Sequence, residues 1–464
     1  MAQINKPSEH FNTKLYSGTG SSQALTGVGF QPDWTWIKQR TSTQEHWLVD
    51  VVRGTTQFLE SNSTNAESSD GATGFTSFDS DGFTVNTSAR TNASSNTYAS
   101  WNWKAAGTAP TKTYTVKVVS DSGNKYRFDD FGTSAVTLEL SEGGTYTFDQ
   151  SDSSNSGHPL RFSTTSDGTH NSGTEYTTGV TTTGTPGSSG AKTVITVASS
   201  APTLYYYCTN HSGMGGQANT PTTNSFSDFS GSIQSNVSPN TTSGFSIATW
   251  TGNATAGATI GHGLGAIPAV MIIKRRNTAN DWTVYHKGID STAPEDYKID
   301  LNSNGVRSDN NTIWNDTAPT SSVATLGTNN RVNGSSDTHV GYFFAEKKGY
   351  SKFGSYTGNG AADGTFIYTG FKPAFVIVKN TTDTNLRHWL MIDNKRNTYN
   401  PMDKEVNPDR TNAEQTNTRM DFLSNGFKNV AASSANNRSG DTFIYMAFAE
   451  QPLVGTNNIP ATAR

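Results

Sequence analysis

The chain has 464 residues, of which only 16% are charged against roughly 25% in ordinary globular proteins, and Ser, Thr, Asn and 44 glycines fill the gap. That length predicts three or four domains, and 23 Phe, 17 Tyr and 9 Trp exclude a disordered chain. A net charge of -4 leaves no basic footprint for nucleic acid, no apolar run is long enough to insert into a membrane, and a single cysteine excludes intrachain disulfides.

The first predicted element is an N-terminal arm over residues 1–9, with no signal-peptide apolar region. A module over 10–108 follows, and it recurs at 244–348 and 351–452. Its opening is Gly-x-x-Pro, a five-residue strand, then Lys: Gly29 to Lys38, Gly265 to Lys274, and Gly370 to Lys379. Fourteen to sixteen residues after each Pro, a Trp starts a second apolar run at Trp47, Trp282 and Trp389. The three copies close alike, on Asn96-Thr-Tyr-Ala-Ser-Trp101-Asn-Trp103, Asp337-Thr-His-Val-Gly-Tyr342-Phe-Phe344 and Asp441-Thr-Phe-Ile-Tyr-Met446-Ala-Phe448. The last of these is apolar on both faces, as in a strand held between two layers. Before it, Asp81-Gly82 and Asn425-Gly426 predict tight turns in which Gly takes positive φ.

Between the first two copies lies a segment, 109–214, that lacks these anchors. It reads as seven short strands, Tyr114–Val118 through Leu204–Tyr207, enough for one Greek-key sandwich. Residues 215–243 are Ser/Thr/Asn-rich and read as a linker or extended arm. Helix is expected only for a turn or two near Asn412, and residues 453–464 form a tail. The fold class is therefore all-β: serial, jelly-roll-like β-sandwich modules in three related copies, plus the guest sandwich. The two terminal segments are the candidate docking arms.

Few constellations carry chemistry. Asp50 and Asp393 fall near the same place in two modules where the third has Tyr285-His286, and they read as solvated strand-end acids. Phe78-Asp-Ser-Asp-Gly82 lacks the downstream acid of a calcium loop and reads as a turn. No Gly-x-Ser-x-Gly elbow or phosphate-cradling loop is present. No catalytic residue is assigned, and the expectation is a non-enzyme. Trp34, Trp36, Trp101 and Trp103, at i, i+2 spacing, put each pair on one strand face. That pattern is usually core, and it is also the aromatic platform that carbohydrate-binding sandwiches offer to sugar rings.

The densest group is His158, in Ser-Gly-His158-Pro-Leu-Arg-Phe, with Cys208, His211 and Met214 in Tyr205-Tyr-Tyr-Cys-Thr-Asn-His-Ser-Gly-Met. One thiolate, two imidazoles and a thioether are the donor set of a mononuclear type 1 copper site. On these residues the 109–214 segment resembles the cupredoxins, plastocyanin and amicyanin in particular. The resemblance implies a cupredoxin-like fold with copper held by His158, Cys208, His211 and Met214. Pro159 departs from it, since the family usually has Asn after the first His, bonding across to the Cys strand. The same residues also suit a spacer domain whose loop is empty or takes another ion.

Over most of its length the chain resembles virion structural proteins of tailed bacteriophages, the marine and cyanophage kind. The carrying residues are the Gly-Phe-x-Pro openings, Asp421-Phe-Leu-Ser-Asn-Gly-Phe427 and Tyr445-Met-Ala-Phe-Ala-Glu450. This resemblance implies a tail fibre or surface appendage for host attachment, assembled in the host cytoplasm with other virion proteins. It also implies a homo-oligomer, a trimer by preference, with a host glycan or protein as receptor. Competing expectations are a capsid-decorating or neck/tail scaffold protein, and a copper redox module or polysaccharide-degrading tailspike.

Overall fold

Strand pairing in the computed structural model, which describes residues 3–106, 109–455 and 460–462, repeats one four-stranded order three times. In the first module Phe11–Ser17 pairs with Thr97–Trp103, then Trp34–Gln39, then Trp47–Asp50, all antiparallel. In the third the order is Ser351–Thr357, Thr442–Pro452, Phe371–Asn380, Leu390–Asp393. The second has Phe245–Thr251, Thr338–Phe344, Val270–Arg275 and Thr283–His286 in the same order, within an eight-stranded sheet. A smaller sheet faces each of these: for example Gln23–Thr26, Gly82–Val85 and Phe75–Asp79 in the first module. The all-β sandwich class read from the sequence is the class of the structure.

Strand alternation then decides the packing. One face of each large sheet (Ile37, Val49; Met271, Ile273; Val376, Val378) closes its own sandwich. The opposite face (Trp34, Trp36, Trp101, Trp103; Val270, Ile272, Tyr342, Phe344; Phe375, Ile377, Met446, Phe448) enters one core shared by all three modules. Both faces are buried, which is why these strands read as apolar throughout. Trp34 stacks on Tyr342 of the second module at 4.2 Å, and Phe11 stacks on Phe448 of the third at 5.2 Å. The copies are thus not strung end to end. The four tryptophans considered as a sugar platform are at most 1% exposed and belong to this core.

The shared core is ringed by contacts repeated from module to module. Each repeated Lys reaches a carbonyl of the next module: Lys38 Nζ to Thr411 O at 2.9 Å, Lys274 Nζ to Thr64 O at 2.9 Å, and Lys379 Nζ to Asn304 O at 3.1 Å. Trp282 Nε1 donates to Glu60 O and Trp389 Nε1 to Asp300 O. The pairing register gives the third equivalent as His46, not Trp47, because Asp50, His286 and Asp393 occupy matching rungs opposite Trp34, Val270 and Phe375. His46 Nε2 accordingly bonds Asn407 O at 3.0 Å. A carbonyl only accepts, so Nε2 carries the proton and Nδ1 accepts from Trp36 Nε1 at 2.8 Å. Segments 60–67, 300–307 and 407–414 therefore each lie across the neighbouring module and close a ring. The turn of helix expected near Asn412 is absent, since 411–414 carries no regular secondary structure and leads into the Gln415–Leu423 strand.

Several expectations change in the light of these contacts. Asp50 and Asp393 are fully buried rather than solvated. Asp50 accepts from Arg53 Nε at 2.6 Å and from Tyr342 of the second module at 2.7 Å. Asp393 accepts from Arg396 Nε at 2.6 Å and from Trp101 of the first module at 3.0 Å. At the third junction the donor position holds Met446, which has no proton to give, and the rung opposite holds His286, bonded through Nε2 to Tyr445 O at 3.0 Å. Of the two glycines expected to take positive φ, Gly82 does and Gly426 does not, and both follow the turn rather than form it. Ser80-Asp81 and Ser424-Asn425 make the turns, and a Cβ on Gly82 or Gly426 would lie 1.9 or 2.0 Å from the Leu25 or Ile367 carbonyl of the paired strand.

The described parts of the terminal arms pack on the body. Ile4 is buried in the shared core with its N–H on Lys348 O, and Gln3 Nε2 donates to Val454 O at 2.8 Å. Residues 1–2, 456–459 and 463–464 of those arms lie outside the described residues.

All seven strands expected in the guest domain form, in two five-stranded sheets around their own core. The domain does not end at Met214. Gly216–Asn219 pairs with Leu204–Cys208 and runs parallel to Leu138–Glu139. Phe226–Asp228 and Ser235–Asn240 then lead directly into the second module's sheet. Four apolar residues spaced among the Ser and Thr (Phe226, Phe229, Ile233, Val237) pin this stretch to the guest and second-module cores, so 215–243 is sheet rather than linker.

Candidate metal centre

Two adjacent strands present the site. Leu160–Ser163 pairs with Leu204–Cys208 so that Leu160 lies opposite Cys208, placing His158 just before one strand and Cys208 at the end of the other. The chain then turns so that His211 comes back over the sulfur. Cys208 Sγ lies 3.8 Å from His158 Nδ1 and 3.7 Å from His211 Nδ1, and the two rings are 4.6 Å apart. All three donor atoms fall within 4.8 Å of one another. Cys208 is buried and His211 is exposed, so the group opens to solvent on the His211 side. Met214 is buried in the same domain core as Cys208 and lines the same depression as His211, His170 and Asn210.

These spacings suit a shared ion. Metal–sulfur and metal–nitrogen bonds of about 2.3 and 2.0 Å, meeting at tetrahedral to trigonal angles, hold S and N about 3.5–3.7 Å apart. A thiol has one proton and faces two imidazole nitrogens, whereas one cation engages all three donors. Burial, and then the neighbouring His211, lowers the His158 pKa and so favours the neutral imidazole that a metal needs. The donor set of thiolate, two imidazoles and thioether fits copper.

The surrounding hydrogen bonds fix the loops before any ion arrives. Pro159 has no N–H, but its carbonyl accepts from Thr209 N at 3.1 Å, so the two strands stay joined at the point where the resemblance expects an Asn. Gln150 Nε2 and Tyr126 Oη both donate to His158 O at 2.9 Å, and Gln150 Oε1 accepts from Leu160 N at 3.1 Å. Asn210 Nδ2 donates to Gly157 O and Gly213 N to Asp167 Oδ1, while His170 Nε2 donates to Cys208 O at 2.8 Å. Of the residues read from sequence, the structure gathers His158, Cys208 and His211, and Met214 lines the depression beside His211. Tyr126, Gln150 and His170 were missed, because their roles depend on strand pairing and leave no spacing pattern.

The molecule is thus an all-β protein of three ring-closed modules with a guest sandwich carrying a candidate His2Cys metal site. The family model described as a domain of unknown function, DUF7483, matches residues 6–129 and 151–452, and the chain belongs to that family. Searches among curated proteins and among solved structures return no match to the chain.

Proposed function

We propose that the chain is a non-enzymatic structural protein of a bacteriophage particle, a surface appendage serving host attachment, with one copper ion bound in its guest domain. The observation that carries the structural role is the use made of the repeated residues. Lys38, Lys274 and Lys379, together with His46, Trp282 and Trp389, hold modules to one another. Asp50 and Asp393, the paired acids that an enzyme reading would need, are likewise committed to inter-module bonds. Closure into a ring favours a globular appendage or tip over a fibre shaft, since modules that share one core add little length. It equally favours the capsid-decorating reading, which needs a rigid body with a broad face. Copper would be held by His158, Cys208 and His211 with Met214 beside it, and would supply one-electron redox capacity or simply pin the loop.

Mass spectrometry of purified particles of the encoding virus, with immunogold labelling by antibody to this chain, tests the assignment. Label at the tail with blocked adsorption is the expected result. Label spread over the head would replace it with the decorating role, and absence from particles would overturn it.

A further inference from the structure

Asp33 breaks the repeat at a position where the fold asks for no acid. It follows the Pro of the first module's opening, where the other two copies have Ala269 and Ala374. The backbone bonds are shared: Asp33 N donates to Trp103 O at 2.8 Å, as Ala269 N does to Phe344 O at 2.7 Å. Val51 N, Lys287 N and Asn394 N each donate at 2.9 Å, to the carbonyls of Asp33, Ala269 and Ala374 in turn. Both alanines pack in or against the shared core. Asp33 is 2% exposed, and its Oδ2 has no hydrogen-bond partner among the described residues. Burial raises its pKa to about 8. A buried carboxyl oxygen without a partner costs stability, and departures of this kind concentrate at functional sites.

Asp33 lines two depressions, of about 420 and 460 Å³, that share Gln31, Asp33 and Asn224. Both volumes fall in the range of about 300–1,000 Å³ that small-molecule sites occupy. Glu9 and Lys104 line the first, and the half-buried ring of Phe78 lines the second. Glu9 is paired with Lys6 at 3.1 Å, so Asp33 and Lys104 nearly balance and favour a ligand without net charge. The carboxamides of Gln31 and Asn224 both donate and accept hydrogen bonds. We infer that this site binds a neutral saccharide ring, with a ring hydroxyl bonded to the Asp33 carboxyl and Gln31 and Asn224 flanking it. A hydroxyl is the fitting partner because it donates and accepts, and so satisfies Asp33 whether the acid is ionised or protonated. The inference gives the attachment reading its contact, and rests on that reading for the origin of the sugar, a host surface glycan.

The test is saturation-transfer NMR and calorimetric titration of the full chain with D-glucose, D-galactose, D-mannose and N-acetyl-D-glucosamine, on wild type and Asp33→Ala. Wild type should bind at least one of these sugars, and Asp33→Ala should weaken that binding about tenfold or more, the worth of one hydrogen bond to a charged group. Denaturant unfolding of the same two proteins is the second measurement. Asp33→Ala should leave the midpoint unchanged or raise it, since alanine holds the same place in the other copies. A lower midpoint, or a variant that does not fold, would give Asp33 a structural role and overturn the inference. Wild type that binds none of these sugars, or binds one as tightly as Asp33→Ala does, would overturn it as well. Sugar binding by a chain that is absent from particles would fail the attachment reading alone. Label at the tail with no sugar bound would fail this inference alone.

Discussion

At the scale of single residues, the departures from the repeat carry the most information. Asp50 faces Tyr342, Asp393 faces Trp101, and where the donor position is Met446 the acid is replaced by His286. Tyr342→Phe should therefore cost about 1.5–3 kcal/mol, the usual worth of a hydrogen bond to a charged group, while Met446→Leu at the equivalent position should cost less than about 1.5 kcal/mol. Denaturant unfolding of both variants checks the difference, and equal losses would contradict the equivalence. The ring lysines give a pH dependence. Burial lowers each of Lys38, Lys274 and Lys379 to about 8. Above that pH the unfolded chain holds protons that the folded chain has released, so stability rises from about pH 8 toward the ordinary lysine value near 10.4. Buried tyrosines such as Tyr342, raised chiefly by burial, act in the opposite direction above about pH 10. Lys379→Met should remove about one third of the rise seen between pH 7.5 and 9.5 in denaturant midpoints.

At the scale of elements, periodicity made the strands legible and composition misled about the connections. The three module openings and closes, and the seven guest strands, follow from apolar alternation that the folded chain obeys. Residues 215–243 misled because Ser, Thr and Asn are common in loops. Yet Ser235–Asn240 pairs residue by residue with Phe245–Thr251. Hydrogen exchange should show the amides of Ser235–Asn240 protected like those of their partner strand, and rapid exchange there would restore the linker reading. Trp47 misled in another way, since a Trp at the right distance from each Pro hid the fact that His46 occupies the equivalent rung. Register is fixed by pairing across the sheet, and a one-residue slip is invisible to spacing alone.

At the scale of the whole molecule, the repeats were visible in the sequence but their closure was not, because nothing local says which apolar face meets a neighbouring copy. Three copies of one module surround a single core within one chain, where Trp34, Trp103, Phe344, Phe375 and Phe448 meet. Calorimetry should show the three modules melting in a single transition, with the guest domain free to melt apart from them and shifted alone by added copper. Three separate module transitions would contradict the shared core. The metal site was legible as a donor set and only partly as geometry: the cysteine loop was readable, whereas Tyr126 and Gln150 emerged only from the fold. The measurement that bears most directly on the account is copper analysis with an optical spectrum, on wild type and Cys208→Ser in parallel. The account predicts one copper per chain and an intense visible thiolate band that the variant loses. Wild type without bound copper, or a spectrum unaltered by the substitution, would contradict it.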